Sequence, residues 1–304
     1  MTDGPVSDAS WWLADAARPR VPAPTDDKYS RGVLGVRTGS DAYPGAAVLG
    51  VEAAWRTGLG MVRYVGPDRA AWLVLQRRPE TVTGVGRVQA WVIGSGTDAA
   101  RRSAAETRAL RDILTGSVPV VADAGALDLV AATRTHATSR TAAPLLVTPH
   151  ASEHDALRRS LGLPSVPPDA DDAAREASAV ETARALGACV LLKGSVTVVA
   201  APSGASVRVS TETAWLATAG TGDVLAGAIG ALVAGAAAGG GPGVDRELDA
   251  EALLPLAVAG ALLHGRAAWL AAADLGPEGG PITALDVAEA IPRAVAEVLA
   301  MGHG

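Results

Sequence analysis

The chain has 304 residues, 49% hydrophobic and 19% charged, with a formal net charge of −6. That much apolar material builds a large core and excludes global disorder, and an acidic chain without basic runs is excluded as a nucleic-acid binder, because counterion release needs clustered Lys and Arg. The single cysteine, Cys189, excludes a disulfide framework and a multi-cysteine metal site, and reads as a small buried hydrophobe in a protein of the reducing cytoplasm.

The first residues, MTDGPVSDAS, carry neither a basic nor an apolar segment, so no signal peptide is expected. Residues 1–27 show no periodicity and read as a mobile arm, with Trp11 and Trp12 free to dock on the body or a partner. Beyond them short apolar runs alternate with longer helical patterns. Strands are expected at 32–39, 61–66, 90–96, 118–123 and 144–150, and helices at about 45–60, 98–114 and 151–160. This alternation implies βαβ units and a mainly parallel sheet covered on both faces. After a helix at about 171–187 come two consecutive strands joined at Pro202-Ser203-Gly204, the signature of a hairpin. Only helices follow, at about 222–237, 249–273 and 283–299, the last capped by Thr283 with Asp286 at its third position. A glycine- and alanine-rich loop, AAAGGGPGVD, separates the first two. No repeat or linker divides the chain, so residues 28–304 are read as one α/β domain. Apolar stretches are interrupted by Gly, Arg, His or Asp, so no membrane span is expected.

Ligands of open parallel sheets bind beyond the carboxyl ends of the strands. Those ends are Thr38-Gly39-Ser40, Gly94-Ser95-Gly96, Asp123, Thr148-Pro149-His150 and Lys193-Gly194. The stretch TAGTGDVLAG (218–227) adds a glycine turn at the mouth of an apolar helix. Gly220 and Gly222 let backbone N–H groups approach an anion at the positive end of the helix dipole. Asp223 there is either a simple capping acid or, beside a phosphate, the base that takes a proton from an attacking hydroxyl. Of 26 basic residues only Lys28 and Lys193 are lysines. A compact ammonium beside Gly194 suits a phosphate. Neither a GxxxxGK[ST] loop nor a GxGxxG turn after a first strand is present, which excludes P-loop and Rossmann readings.

His264 is read as a satisfied packing histidine, and His136, His154 and His303 as surface residues. Two readings of Tyr43 stay open, stacking on a ring or packing under its loop. The tryptophans are read mostly as core fillers in a chain without Phe. No His, Cys and acid set has zinc-ligand spacing.

The stretches TGSDAYPGAAVLGVEAAWRTGLGMVRYV (38–65), VIGSGTD (92–98), VVADAGALDL (120–129), LVTPHASEHDAL (146–157), VLLKGSVTVVAAPSG (190–204) and LATAGTGDVLAGAIGALVAG (216–235) resemble, in order and approximate spacing, the ADP- or ATP-dependent NAD(P)H-hydrate dehydratases of the ribokinase-like superfamily. The resemblance covers about residues 28–299. YPGAA, TPHxxE and KGxxT carry most of its specificity, since several vitamin-precursor kinases share the GTGD turn. It implies a three-layer α/β/α sandwich. It also implies repair of hydrated NADH and NADPH: the nucleotide's terminal phosphoryl group passes to the hydrate hydroxyl, and phosphate is then eliminated. The stand-alone form, without the epimerase domain often fused ahead, is expected.

Carried over, the resemblance makes Asp223 the catalytic base and a substrate contact, with Ala46, Gly96 and His150 as further substrate contacts. It assigns Lys193, Gly194, Ser195, Val196 and Thr197, and Gly220, Thr221 and Gly222, to ADP or ATP. Mg²⁺ would be held by the phosphates, with Glu153 structural or reaching the ion through water. A cytoplasmic homo-oligomer, tetrameric by family analogy, is implied. The chain departs from the family in having Gly125 and Asp128 within Asp-Ala-Asp-x-Leu-Asn, Asp27-Lys28-Tyr29 for His-Lys-Gly, Ala219 for the first glycine of the turn, and Ala214-Trp215 for Gly-Asn. The alternative function is a vitamin-precursor or sugar kinase on the same fold. A non-catalytic nucleotide sensor is a third reading, against which Asp223 argues.

Overall fold

The apolar runs assemble into one nine-stranded sheet of order β3-β2-β1-β4-β5-β6-β7-β8-β9. In chain order the strands are β1 (Val33–Arg37), β2 (Met61–Tyr64), β3 (Val82–Thr83), β4 (Ala90–Ile93), β5 (Val120–Ala122), β6 (Leu145–Val147), β7 (Cys189–Leu192), β8 (Val196–Ala200) and β9 (Ser206–Ser210). β3 through β7 are parallel, whereas β8 and β9 add as an antiparallel hairpin. Its turn lies at Pro202-Ser203-Gly204, closed by Ala201 and Ala205. The computed structural model describes residues 21–135, 143–240 and 245–301, so Trp11, Trp12, His136 and His303 lie outside the described residues, as does most of the expected arm.

Among the described residues the helices are α1 (Gly45–Thr57), α2 (Asp68–Arg77), α3 (Ala104–Leu114), α4 (Leu127–Thr135), α5 (Ala151–Ser160), α6 (Asp172–Leu186), α7 (Thr221–Ala237), α8 (Leu253–Ala273) and α9 (Ala284–Met301). Strand side chains alternate between two apolar layers, as a period of two demands. Val121, Leu146, Cys189 and Leu191 face α1, α7, α8 and α9, and Val120, Ala122, Leu145 and Val190 face α3 to α6. The result is helix–sheet–helix in three layers. Cys189 is free and buried, as expected.

Thr283 caps α9 reciprocally with Asp286: the Asp286 N–H donates to the Thr283 hydroxyl (3.3 Å) and the Thr283 N–H to the Asp286 carboxylate (2.7 Å). The helix expected from 98 begins only at Ala104, because Ser103 caps it by accepting from Glu106 N. α8 runs through His264 and Arg266 and is 21 residues long, so by length and composition it could cross a membrane, contrary to the sequence expectation. It is mostly buried inside the protein, packed on α7, α9 and the β8–β9 hairpin.

Two assignments of buried and exposed residues are corrected. His154 is not on the surface but 2% exposed, with Nε2 2.9 Å from the Thr182 hydroxyl, because α5 turns it against α6. Of the five described tryptophans, Trp55 and Trp91 are partly buried and pack against the core, whereas Trp72, Trp215 and Trp269 are exposed rather than core fillers. Small residues bring α1 and α7 close together. A Cβ on Gly227 of α7 would collide with the Gly50 carbonyl of α1, so these two helices touch backbone to backbone.

Candidate functional site

The chain moves from β1 outward to β2 and β3, then returns to β4 on the other side of β1. This reversal is the switch point at which α/β sheets open a crevice. There the loops after β1 and β4 meet, with Gly39 N donating to Ser95 O (2.7 Å). Gly94 and Gly96 both adopt positive φ (+99° and +68°). A Cβ on Gly96 would lie 2.5 Å from the Ala46 Cβ, so Gly96 and Ala46 form one close contact at the floor of the crevice.

Asp123, at the end of β5, is the hub. Its carboxylate accepts from the Ser95 hydroxyl (2.9 Å), the Thr148 hydroxyl (2.8 Å) and Lys193 Nζ (2.7 Å). Four parallel strands therefore deliver four polar groups to one point. Lys193 Nζ also lies 3.9 Å from Glu153 Oε2. Glu153 and His150 form a capping box on α5: His150 N donates to Glu153 Oε2 (2.8 Å), and Glu153 N donates to His150 Nδ1 (3.4 Å). That bond fixes a lone pair on Nδ1 and the proton on Nε2. His150 is 54% exposed at the rim.

Asp223 is the third residue of α7, behind Gly220, which holds φ +88° as the N-cap. A side chain at 220 would meet Leu49 Cδ1 at 2.6 Å, so the turn needs glycine for both backbone angle and space. Burial, and then the neighbouring Asp123 charge, raise the Asp223 carboxyl to about 6, while Lys193 and a hydrogen bond with Ser95 oppose the rise. A carboxyl poised there is ionised at neutral pH yet basic enough to accept a proton.

Beside this cluster opens a cavity of about 430 Å³, bounded by the β8–β9 hairpin and the starts of α7 and the 214–217 turn. Lys193, Gly194, Ser195, Thr197, Thr221 and Gly222 line it. Val196 and Gly220 do not. The Val196 carbonyl instead accepts from Arg175 Nη1 (2.9 Å), which ties the loop after β7 to α6. A second cavity, of about 310 Å³, lies across the crevice against Ser40, Tyr43, Thr97 and Arg101. Tyr43 is 54% exposed there, which favours the stacking reading over packing. Ala46 and His150 line neither cavity.

The other departures from the family pattern have local causes. A Cβ on Gly125 would collide with the Thr97 carbonyl. Asp128 is held by Arg102 (2.6 Å) and turned from the hub. Trp215 points away from the cavity to Glu278 O (3.4 Å). Lys28 packs its backbone against Gly60 ahead of β2, at the opposite end of the sheet. Sequence reasoning missed Arg175, which nothing in its neighbourhood distinguishes; His264 is buried as a packing histidine beside the Thr221 backbone, as expected, although its Nε2 has no hydrogen-bond partner. Among the described residues no group of three or more His, Cys, Asp or Glu is placed to hold a metal ion.

The NAD(P)H-hydrate dehydratase family pattern matches residues 34–293. The bifunctional NAD(P)H-hydrate repair enzyme Nnr of Mycobacterium leprae is 42% identical over 284 residues, covering 91% of this chain and 53% of that protein. The ADP-dependent (S)-NAD(P)H-hydrate dehydratase of Neisseria meningitidis is 35% identical, over 79% of this chain and 77% of that one. Among solved structures, the ADP/ATP-dependent NAD(P)H-hydrate dehydratase of Bacillus subtilis, co-crystallized with ATP/Mg²⁺, superposes with a TM-score of 0.73 at 27% identity, over 94% of this chain and 98% of that chain. The architecture is the ribokinase-like one. The chain spans about half the length of the bifunctional relatives it matches.

Proposed function

Because the chain belongs to the NAD(P)H-hydrate dehydratase family, we propose that residues 28–304 act as one catalytic unit that restores NADH and NADPH from their hydrates with ADP or ATP. The observation that carries the reading is Asp223, a raised carboxyl at the open end of a glycine-capped helix and beside a lysine-lined cavity.

The nucleotide occupies the cavity of Lys193, Gly194, Ser195, Thr197, Thr221 and Gly222. Its terminal phosphates meet the N–H groups at the start of α7, where the helix dipole favours negative charge. A Cβ on Gly222 would lie 3.6 Å from Lys193 Nζ, so the ammonium stands directly over this turn. Val196 contributes by shaping the loop, and Gly220 by setting the turn. The hydrate lies across the crevice, over Ala46 and Gly96, with its ring near Tyr43 and its far end at His150.

Asp223 takes the proton of the hydrate hydroxyl as its oxygen bonds to the terminal phosphorus and the bridging P–O bond breaks. The ring nitrogen's lone pair then expels phosphate, and loss of a proton from the adjacent carbon restores the double bond. Asp123 holds Lys193 in place, and the Ser95 hydroxyl lies between Asp123 and Asp223. Mg²⁺ would be held mainly by phosphate oxygens and would neutralise charge on the transferring group. Glu153, which caps α5 3.9 Å from Lys193 Nζ, would meet such an ion through water. A cytoplasmic homotetramer belongs to the same proposal.

The test incubates the protein with hydrated NADH or NADPH and ADP or ATP, and follows dihydronicotinamide absorbance together with phosphate release. Recovery of both is expected. Phosphorylation of a thiazole, pyrimidine or sugar alcohol without recovery would identify a kinase instead, and binding without turnover a sensor. The pH profile follows from the base: kcat/KM for the hydrate should fall about tenfold per unit below an inflection near 6, where Asp223 protonates in the free protein. A flat profile between pH 5 and 7 would remove Asp223 from that role.

A further inference from the structure

We propose that Arg175 is a positioning residue for the nucleotide: from behind the loop after β7 it draws two carbonyls away from the cavity, and so turns the loop's N–H groups toward it. The proposal rests on the reading of the 430 Å³ cavity as the nucleotide site.

The loop runs from Lys193 to Val196, where β7 gives way to β8. Each of its four carbonyls accepts a bond from the protein. Arg175 Nη2 donates to Lys193 O (3.4 Å) and Arg175 Nη1 to Val196 O (2.9 Å). The Thr197 hydroxyl donates to Gly194 O (3.4 Å). Thr211 donates to Ser195 O from both its N–H (3.2 Å) and its hydroxyl (3.1 Å). The N–H groups of Gly194 and Ser195, by contrast, donate to no protein group among the described residues, and both residues are exposed. A loop whose acceptors are all used and whose donors stand open is built to meet an acceptor, such as a phosphate oxygen.

Arg175 decides which way those donors face. α6 and the cavity lie on opposite faces of the sheet: Ala179 and Ala183 of α6 pack in one apolar layer, whereas Val209 and Leu225 of the cavity wall pack in the other. In a planar trans peptide the C=O and the following N–H point in opposite directions. With Lys193 O drawn toward α6, the Gly194 N–H points to the cavity side. The guanidinium is itself set by Asp172, one turn earlier on α6, whose carboxylate accepts from Nη1 (3.2 Å). The same arginine accounts for Gly194. That residue does not adopt a positive φ, so backbone angle is not what demands a glycine. A Cβ there would collide with Arg175 Nη2. Reaching two carbonyls at once takes a planar fork, which arginine has and lysine lacks.

The experiment measures ADP affinity by calorimetry, steady-state kinetics on the hydrate, and melting temperature. It compares the unsubstituted protein with Arg175→Ala, Arg175→Lys, Gly194→Ala and the double alanine variant. Arg175→Ala should bind ADP about tenfold more weakly, the scale of one misplaced hydrogen bond to a charged group. The loss should appear in the nucleotide KM, with kcat at saturating nucleotide changed by less than about twofold. Arg175→Lys, which reaches one carbonyl but not both, should recover part of the affinity. Gly194→Ala should weaken ADP by displacing the guanidinium, and the double variant should be no weaker than the worse single one, because the two residues act as a unit. A merely structural arginine would lower the melting temperature and leave the nucleotide KM unchanged, and that result overturns the inference. Fully additive losses in the double variant also overturn it. Should Arg175→Ala fail to fold, Arg175→Lys decides by the same split: a nucleotide KM raised about threefold with kcat kept supports the inference, and an unchanged KM overturns it. If the unsubstituted protein binds neither ADP nor ATP, the reading of the cavity falls and takes the inference with it.

Discussion

Asp223→Asn is expected to lower kcat/KM for the hydrate by about 10²–10⁴-fold, the range a positioned general base supplies, while nucleotide affinity changes by less than about threefold. On the proposed reading the two effects separate because the nucleotide would be held by the α7 N–H groups and Lys193, which the substitution leaves in place, whereas only the carboxylate would accept the hydroxyl proton. Stability should move the other way. A carboxyl raised in the folded protein contributes stability that is lost as pH rises through its folded value, here about 6, so at neutral pH the ionised group is a burden on the fold. Asparagine removes that burden, together with the repulsion from Asp123. The variant should therefore melt at an equal or higher temperature than the unsubstituted protein above pH 6, and at an equal or lower one near pH 4. An inactive variant that also melted several degrees lower at pH 7 would mean that Asp223 is a helix cap and not a base. Retention of more than about a tenth of the activity would place the base elsewhere.

That Asp223 and the glycine turn were legible in the sequence follows from backbone constraints, and Lys193 stood out as one of two lysines in the chain. A helix mouth that needs both positive φ and free space at Gly220 leaves a mark within a few residues. The hub leaves no such mark. Asp123 and Lys193 are 70 residues apart, and only the parallel order β4-β5-β6-β7 sets Ser95, Asp123, Thr148 and Lys193 side by side. The strand ends could be named from the sequence, but not which of them bond to which. Helices α2 and α4 were missed for opposite reasons. α2 buries only Ala70 and Val74 and exposes Trp72, so its apolar residues do not mark its core face. α4 buries Leu127, Leu129, Val130 and Ala131 in near succession, which blurs the 3.6-residue period. β3 is two residues long and exists through its pairing with β2. His154 was misread because burial of a polar residue depends on the neighbouring element, here α6.

Glu52→Ala is expected to destabilise the fold by about 2–4 kcal/mol. Glu52 lies in the apolar pattern of α1, and its side chain is fully buried. Arg78 meets it with Nε and Nη2, each at 2.5 Å, Arg56 at 3.0 Å and Arg77 at 3.2 Å, and Arg77 continues to Glu289 of α9 at 2.5 Å. One acid thus ties α1 to the end of α2 and, through Arg77, to α9. Burial opposes its charge, but the hydrogen bonds from Arg78, Arg77 and Arg56 outweigh burial and hold the carboxyl below its usual range. Breaking a fully buried pair costs about 3–5 kcal/mol. The figure here is lower because the arginines reach water and can turn outward once released. The sign with pH follows: a depressed carboxyl contributes stability that is complete above its ordinary value near 4.5 and is lost as pH falls through the lower folded value. Denaturant titrations should therefore show the penalty of Glu52→Ala in full at pH 7 and shrinking below pH 4. Glu52→Gln, which keeps the volume and one acceptor, should cost less than Ala and show the same dependence on pH. A penalty equal at pH 7 and pH 3 would mean that Glu52 acts by filling space between α1 and α2, and that the arginines hold these helices together without it.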